Sequence, residues 1–423
     1  MRILIIGSGG REHAICSKFH ESKKISKIFA IGENAGMGSV AQCISNIQIN
    51  NHKAIIDFCK SEKIDLVFIG PEQPLVEGLV DDLEQAGIRA FGPSKYCSQL
   101  EGSKSFMKKI AIDNDIPTAT YETFLELQPA IDFVKKLGFP CVIKADGLAA
   151  GKGVVIAQNL AEATSTIDEF FTGKFGEASK KIIIEEFLTG LEVSHFALCD
   201  GSENFISLGF AHDHKKVGEN ETGPNTGGMG TFSPSPFITK EIEETIFNKI
   251  ITPTLSTMNK NGHPFKGILF SGIILTDKGP KLLEFNTRFG DPETQVILPR
   301  IKTDFIDLIE AAIDGNLTKT KIEFDEEKKL VCVVMCANGY PEGYKKGTEI
   351  NLDATKNLAD TNIFHAGTTI KNHKLVANGG RVLNIVASAT SFEEARKKAY
   401  LAVDLIDWKD GFVRKDIAKK ATF

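Results

Sequence analysis

Arginine is scarce in this 423-residue chain. Only eight of its 50 cationic residues are arginine: Arg2, Arg11, Arg89, Arg288, Arg300, Arg381, Arg396 and Arg414. Lysine does the solubilising, so an arginine inside a motif is less expected to be surface filler. Positive charge is not in excess either. The 55 acidic residues leave a net charge of −5, which argues against a nucleic acid or an anionic membrane as the main partner. No apolar run approaches the ~18 residues needed to span a bilayer. The eight cysteines form no CxxC pair and no zinc-type Cys/His spacing, a usage that fits free thiols in a reducing cytosol. The start, Met1–Gly7, reads as a strand and is too short for a signal peptide. There is no internal repeat and no low-complexity tract. No Ser/His/Asp or Cys/His nucleophile emerges. A cytoplasmic protein is expected.

What is present is an alternation of strands and helices. Ile3–Ile6, Lys27–Ile31 and Asp65–Ile69 read as strands, with a helix from near Arg11. Strands joined by helices predict a doubly wound parallel sheet whose ligands sit at strand C-terminal ends. Ser94–Met107 reads as helix. From Pro117 the pattern becomes strand-rich, with Phe139–Ala145, Val154–Ala157, Lys181–Glu186, Glu192–Cys199 and Phe205–Phe210. A polar, glycine-rich segment, Ala211–Pro236, is expected to lie between regular elements. Lys240–Asn259 reads as helix, and Gly267–Leu275 with Lys281–Phe285 as a hairpin. A charged junction, Lys319–Lys329, precedes a smaller β-rich unit. Its clearest parts are Leu330–Ala337, Arg381–Ser388 and a helix Ser391–Ile406 opened by a capping box.

Four segments carry chemistry. In Gly7-Ser8-Gly9-Gly10-Arg11-Glu12-His13, glycines before a helix can bring backbone N–H groups to a phosphate. Glu12 stands where a dinucleotide fingerprint needs its third glycine, so a bare turn, a dinucleotide site and a sugar-phosphate site all remain open. Lys144–Val154 is not a P-loop, because Gly153 replaces the Ser/Thr and a strand follows. Its glycines between two strands suit a flap over a nucleotide triphosphate, with Lys144 as a point charge on phosphate. Gly223–Gly230 places four glycines in eight residues, which lets amides close around a small anionic ligand. In Glu284–Glu293, alternation puts Glu284 and Asn286 on one face of a strand. Two hard oxygen donors suit Mg²⁺, which takes its remaining ligands from water and phosphate. Arg288 continues that face as a planar fork for an oxyanion.

In order along the chain, IGSGGREHA (6–14), GPEQPLVEGL (70–79), LEGSKSFMK (100–108), VIKADGLAAGKGV (142–154), DHKKVGENETGPNTGGMG (213–230), EFNTRFGDPE (284–293), FHAGT (364–368) and NGGRVLNI (378–385) resemble the ATP-grasp superfamily. Within it they are similar to the phosphoribosylamine–glycine ligase family. The resemblance implies a doubly wound N-terminal domain (1–101), an ATP-grasp domain (102–320, flap subdomain about 118–190) and a small β-rich C-terminal domain (328–423). It implies ATP-dependent joining of glycine to 5-phosphoribosylamine through a glycyl phosphate, with Mg²⁺ or Mn²⁺, in a monofunctional monomer without nucleic-acid or membrane partners. The alternative is another ATP-grasp carboxylate–amine ligase with a different acid or amine.

Residue by residue, Lys104 and Lys144 match the ATP-phosphate lysines, and Gly147, Gly151, Lys152 and Gly153 the flap. Glu185, Phe187 and Leu188 match the adenine linker, Glu192 the ribose contact, and Glu284 and Asn286 the metal ligands. Gly9, Gly10 and the run Thr222, Gly223, Pro224, Asn225, Thr226, Gly227, Gly228 and Met229 match the sugar-phosphate and amine site. Asp213, Lys215, Arg288 and Asp291 match groups that face the reacting atoms. One departure stands out: Gly267–Leu275 lacks the further carboxylate that many ATP-grasp enzymes carry on the preceding strand.

Overall fold

The computed structural model describes residues 1–149 and 151–421. Its first sheet has five strands, all parallel, with Arg2–Ile6 at the centre between Lys27–Ile31 and Leu66–Ile69. Side chains alternate across a strand, and both faces are covered. Ile3 and Ile5 join the core shared with the rest of the molecule, while Leu4 and Ile6 join a separate core on the other face. The helix Gly10–His20 starts where the central strand ends, and this places the first glycine turn at the C-terminal edge of the sheet.

Ser94–Met107 is not one helix. The chain breaks at Ser103, whose extended backbone ends Gln99–Gly102 and whose hydroxyl caps Lys104–Asp113 by accepting from Phe106 N–H. A serine is a poor interior helix residue and a good cap, and here it puts Lys104 in the first turn of the new helix. The segment expected as a flap holds a separate four-stranded sheet with its own core of Phe124, Val134, Ile143, Ile167, Phe170 and Ile184. Cys141–Ala145 and Val154–Ala157 pair antiparallel around the glycine loop, as the sequence predicts. Ala150, within that loop, lies outside the described residues. The strand begins at Cys141 and not at Phe139, because Pro140 has no N–H to give to a ladder.

The central sheet runs over long antiparallel strands, Leu191–Asp200, Phe205–Asp213, Lys266–Thr276 and Gly279–Asn286. Ala211–Pro236 differs from its expectation as an irregular segment. It finishes the Phe205–Asp213 strand, makes a small hairpin (Lys216–Gly218 with Thr222–Asn225) and then forms the strand Gly230–Ser233. That last strand pairs with Phe205–Asp213 on one side and with Lys329–Ala337 on the other. The C-terminal strands are thereby stitched into a nine-stranded sheet with the central ones. The backbone of a polar segment bonds as well as that of an apolar one, so composition alone hid this strand. Ser391 caps the helix Phe392–Leu405 by accepting from Glu394 N–H. The eight cysteines are free, and all but Cys43 are buried. Among the described residues no helix is long and apolar enough to cross a membrane.

Candidate active site

The strand Gly279–Asn286 carries Glu284 and Asn286 on one face, with Phe285 buried behind them. The position opposite Glu284 on the neighbouring strand is Gly272, and a Cβ there would come to 3.3 Å from the Glu284 Cγ. The further carboxylate is thus absent at a place where this backbone leaves little room for one. Asn286 Oδ1 accepts from Arg288 Nη2 at 3.0 Å. The Glu284 carboxyl lies low: burial pushes it up, and the positive charges of Lys215, Lys104, Lys144 and Arg288 outweigh that. Four cations drawn from four segments of the chain therefore converge on one carboxylate.

Three of those four cations have a carboxylate partner. Lys215 forms an ion pair with Glu192 at 2.8 Å. Burial alone would lower the Lys215 ammonium, but Glu192 and Glu284 raise it instead. Lys144 Nζ lies 2.9 Å from Glu185 Oε2, and Lys108 Nζ lies 3.3 Å from Glu185 Oε1. Arg288 does not reach freely into the site, as an isolated oxyanion fork would. It spans Glu101 at 2.7 Å, Glu72 at 3.4 Å and the Phe289 carbonyl, tying both carboxylates to the end of the strand Gly279–Asn286. Burial would raise the Glu72 carboxyl, and Arg288 with Arg11 instead holds it down to about 2. The base of the flap is tied down by Asp146, which accepts from Ser105 N–H at 2.7 Å and from the Ser103 hydroxyl. Lys104 N–H donates to the Asp146 carbonyl at 3.0 Å. Gly147 and Gly153 flank this flap, with Gly151 and Lys152 exposed at its tip. Phe187 and Leu188 form the linker between the strands Ile182–Glu186 and Leu191–Asp200, and Phe187 is exposed.

A second recess, about 400 Å³, opens beside this nest between the first glycine turn and the C-terminal strands. Ser8, Gly9, Gly10, Asp291, Tyr340, Gly367, Thr368 and Arg381 are among its walls. Asp291 is its centre. Its carboxylate accepts from Gln295 Nε2 at 2.9 Å and lies 3.5 Å from the Arg381 guanidinium, which also donates to the Asp291 carbonyl at 2.6 Å. Burial raises the Asp291 carboxyl, but Arg381 and Arg11 bring it below its usual range. Gly10 is needed by close approach, since a Cβ there would sit 2.1 Å from Asn384 Nδ2. Glu12 fills the place of the missing third glycine: its carboxylate accepts from Gly9 N–H and from Arg11 Nε, both at 2.6 Å. A dinucleotide pyrophosphate would have to displace that carboxylate.

The GPNTGGMG segment divides. Thr226, Gly227 and Gly228 adjoin two walls of the recess, where Tyr340 accepts from Gly227 N–H and Arg381 donates to the Gly227 carbonyl, whereas Asn225 ends the strand of the outer hairpin. Thr222, Gly223 and Pro224 lie on the exposed outer hairpin and are not among the walls of the recess. Met229 departs further from its expected contact with substrate. Its side chain is fully buried with Sδ at 3.6 Å from Cys336 Sγ, and its N–H and carbonyl are spent on His214 and Val334. Asp213 is half-buried, and its buried Oδ1 has no hydrogen-bond partner among the described residues. Burial and the nearby Glu293 raise its carboxyl well above the usual range. Sequence reasoning assigned no role to Glu72, Glu101, Lys108, Asp146, Tyr340 or Arg381. Five of them stand in or beside the quoted motifs, but only folding shows which charges meet.

The metal can be weighed from the donors. No group of three or more His, Cys, Asp or Glu side chains is placed to hold an ion among the described residues. Glu284 and Asn286 supply two oxygens, which fits an ion that draws its other ligands from phosphate and water.

Family models match in series: the phosphoribosylglycinamide synthetase N domain over residues 1–101, its ATP-grasp (A) domain over 102–294 and its C domain over 330–420. The chain is similar to a phosphoribosylamine–glycine ligase of Mesorhizobium japonicum, 49% identical over 421 residues, covering 100% of this chain and 98% of that protein. An Escherichia coli protein of the same name is 43% identical over 100% of this chain and 99% of its own. Among solved structures, the phosphoribosylamine–glycine ligase of Thermotoga maritima superimposes with a TM-score of 0.84 at 33% identity, covering 98% of this chain and 100% of that one. A biotin carboxylase domain from Hydrogenobacter thermophilus shares the fold at 18% identity and a TM-score of 0.75, covering 97% and 91%. The chain belongs to the phosphoribosylglycinamide synthetase family of ATP-grasp proteins.

Proposed function

We propose that this chain joins glycine to 5-phosphoribosylamine, converting ATP to ADP and phosphate. The observation that carries the reading is the adjacency of two different anion sites. One is the cationic nest of Lys104, Lys144, Lys215 and Arg288 around Glu284, suited to a triphosphate. The other is the recess between Gly9–Gly10 and Arg381, suited to a sugar phosphate. The division at about residues 101 and 320–328 belongs to the same reading, with each site drawing on more than one of the three parts.

The glycine carboxylate oxygen attacks the γ-phosphorus, the bond to the β-phosphate oxygen breaks, and ADP leaves. The amine nitrogen of phosphoribosylamine then attacks the acyl carbon of glycyl phosphate, and phosphate departs with the C–O bond electrons. Lys104 and Lys144 bear on the phosphates as point charges, and Arg288 keeps Asn286 turned toward the metal side. Glu284 and Asn286 would hold Mg²⁺ or Mn²⁺, which supplies neutralisation of phosphate charge when bound. Glu185, Phe187 and Leu188 lie along the adenine and Glu192 at the ribose. Gly147, Gly151, Lys152 and Gly153 close over the phosphates and keep water from the acyl phosphate. Asp291 with Arg381 orients the phosphoribosylamine beside Asn225–Gly228. As the amine attacks it sheds a proton, and Asp213, raised by burial, has the direction of shift needed in a group that takes one near neutral pH.

The test is ADP release coupled to NADH oxidation, with each substrate omitted in turn. ADP formation that requires both glycine and phosphoribosylamine supports the reading. ADP formation that proceeds with another acid or amine and not with these two overturns it in favour of a different carboxylate–amine ligase.

A further inference from the structure

Glu185 lies between two lysines from different parts of the chain. It sits on the flap strand Ile182–Glu186, diagonal to Lys144 on the adjacent strand, where Val142 is its direct neighbour. Lys108 comes from the helix Lys104–Asp113, outside the flap, and its side chain is fully buried. Lys108 Nζ also donates to Thr118 Oγ1 at 2.7 Å, and that hydroxyl donates to the Leu282 carbonyl at 2.7 Å. Thr118 is where the chain enters the flap, bridged to Leu282 on the central sheet. Two buried cations thus share one buried carboxylate at the root of the four-stranded sheet. Burial lowers the Lys108 ammonium to about 8 against the pull of Glu185.

A single Lys144–Glu185 pair would present a problem. Moving Lys144 onto a triphosphate would leave a buried carboxylate without a counter-charge, a costly state. We propose that Lys108 is a positioning residue for nucleotide binding: it keeps Glu185 neutralised across the flap root, so that Lys144 can be released to the phosphates. This rests on the nucleotide reading of Lys144 given above. Lys108 touches neither substrate nor reacting atoms in this scheme and acts through Glu185.

The effect of Lys108 then depends on the charge of Glu185. Removing Lys108 strengthens the hold of Glu185 on Lys144. Removing the charge of Glu185 frees Lys144 and makes Lys108 dispensable. Binding of a non-hydrolysable ATP analogue with Mg²⁺ is measured by titration calorimetry on the full chain. Lys108→Met is expected to weaken binding about tenfold or more and to raise the KM for ATP while leaving the KM for glycine unchanged. Lys108→Arg restores most of the affinity. Glu185 also lies along the adenine, so Glu185→Gln serves as a background: adding Lys108→Met to it weakens binding no further than Glu185→Gln alone. An equal Lys108→Met loss in the parent and Glu185→Gln backgrounds, or unchanged binding by Lys108→Met, overturns the proposal and makes the pair merely structural. If Lys108→Met does not fold, Lys108→Gln is carried through the same two backgrounds, and an equal loss in both overturns the proposal. Lys144→Ala is the control. Unchanged affinity in that variant would overturn the nucleotide reading itself, a failure distinct from that of Lys108.

Discussion

At the scale of the residue, the site is built from charges that are costly to bury singly. Arg288 lies against Glu72, Glu101, Asn286 and a carbonyl at once. A lysine has one ammonium and cannot reproduce those directions. Arg288→Lys is expected to lower kcat/KM for ATP by about tenfold to a hundredfold, taking ~1.5–3 kcal/mol for lost charge-assisted bonds. Steady-state kinetics check this, and unchanged values would reduce Arg288 to a structural clamp. Arg381 has a different addressee. It donates to the Asp291 and Gly227 carbonyls in the recess, so Arg381→Met should raise the KM for phosphoribosylamine about tenfold or more and leave that for ATP near its parent value. Comparable shifts in both constants would place the two anion sites differently.

Elements act here through their ends. The helix Lys104–Asp113 is started by Ser103, and the same hydroxyl reaches Asp146 at the flap base. Ser103→Ala should cost about 1 kcal/mol of stability through the lost cap, read from a shift in the urea midpoint, and should also raise the KM for ATP. Loss of stability alone would limit Ser103 to capping. The flap tip is a separate case. Gly151 has φ +73° with no atom near its missing Cβ, so a valine there meets backbone strain and no steric neighbour. Gly151→Val should leave the thermal midpoint within a few degrees, because an exposed turn contributes little to the core. It should lower kcat, through impaired closure and faster hydrolysis of the acyl phosphate. Phosphate release without amide formation, measured in parallel, would report that leak.

Over the whole molecule, among the described residues, four imidazoles are buried, those of His13, His195, His212 and His214, and His365 is half-buried. Burial lowers His13 and His195 to about 3, and His212, His214 and His365 to about 4, against about 6.5 in an unfolded chain. His13 Nδ1 accepts from His365 N–H, a bond that a proton on that nitrogen would break. Between pH 6.5 and 4 the unfolded chain takes protons that the folded chain refuses. Stability is therefore full above 6.5 and falls as pH falls. Urea midpoints at pH 7.5, 6.5, 5.5 and 4.5 should fall slightly over the first step and more steeply below it. A midpoint constant down to 4.5 would contradict the burial of these rings.

The sequence by itself determined the local features, because they depend on neighbours along the chain. Strand alternation placed Glu284 and Asn286 on one face, two glycine-flanked strands made the flap, and Ser391 capped its helix. The motifs, read together, also carried the family. Tertiary structure decided which distant charges meet. Lys108 with Glu185, Glu72 with Arg288 and Asp291 with Arg381 are separated by 77, 216 and 90 residues, and no periodicity links such positions. It also decided that the polar segment before Pro236 becomes a strand, since its backbone gained partners on both sides only when the C-terminal strands arrived. For the same reason Met229, a motif residue by sequence, ended in the core. A local pattern fixes where a side chain points; only the partner strand fixes what it faces.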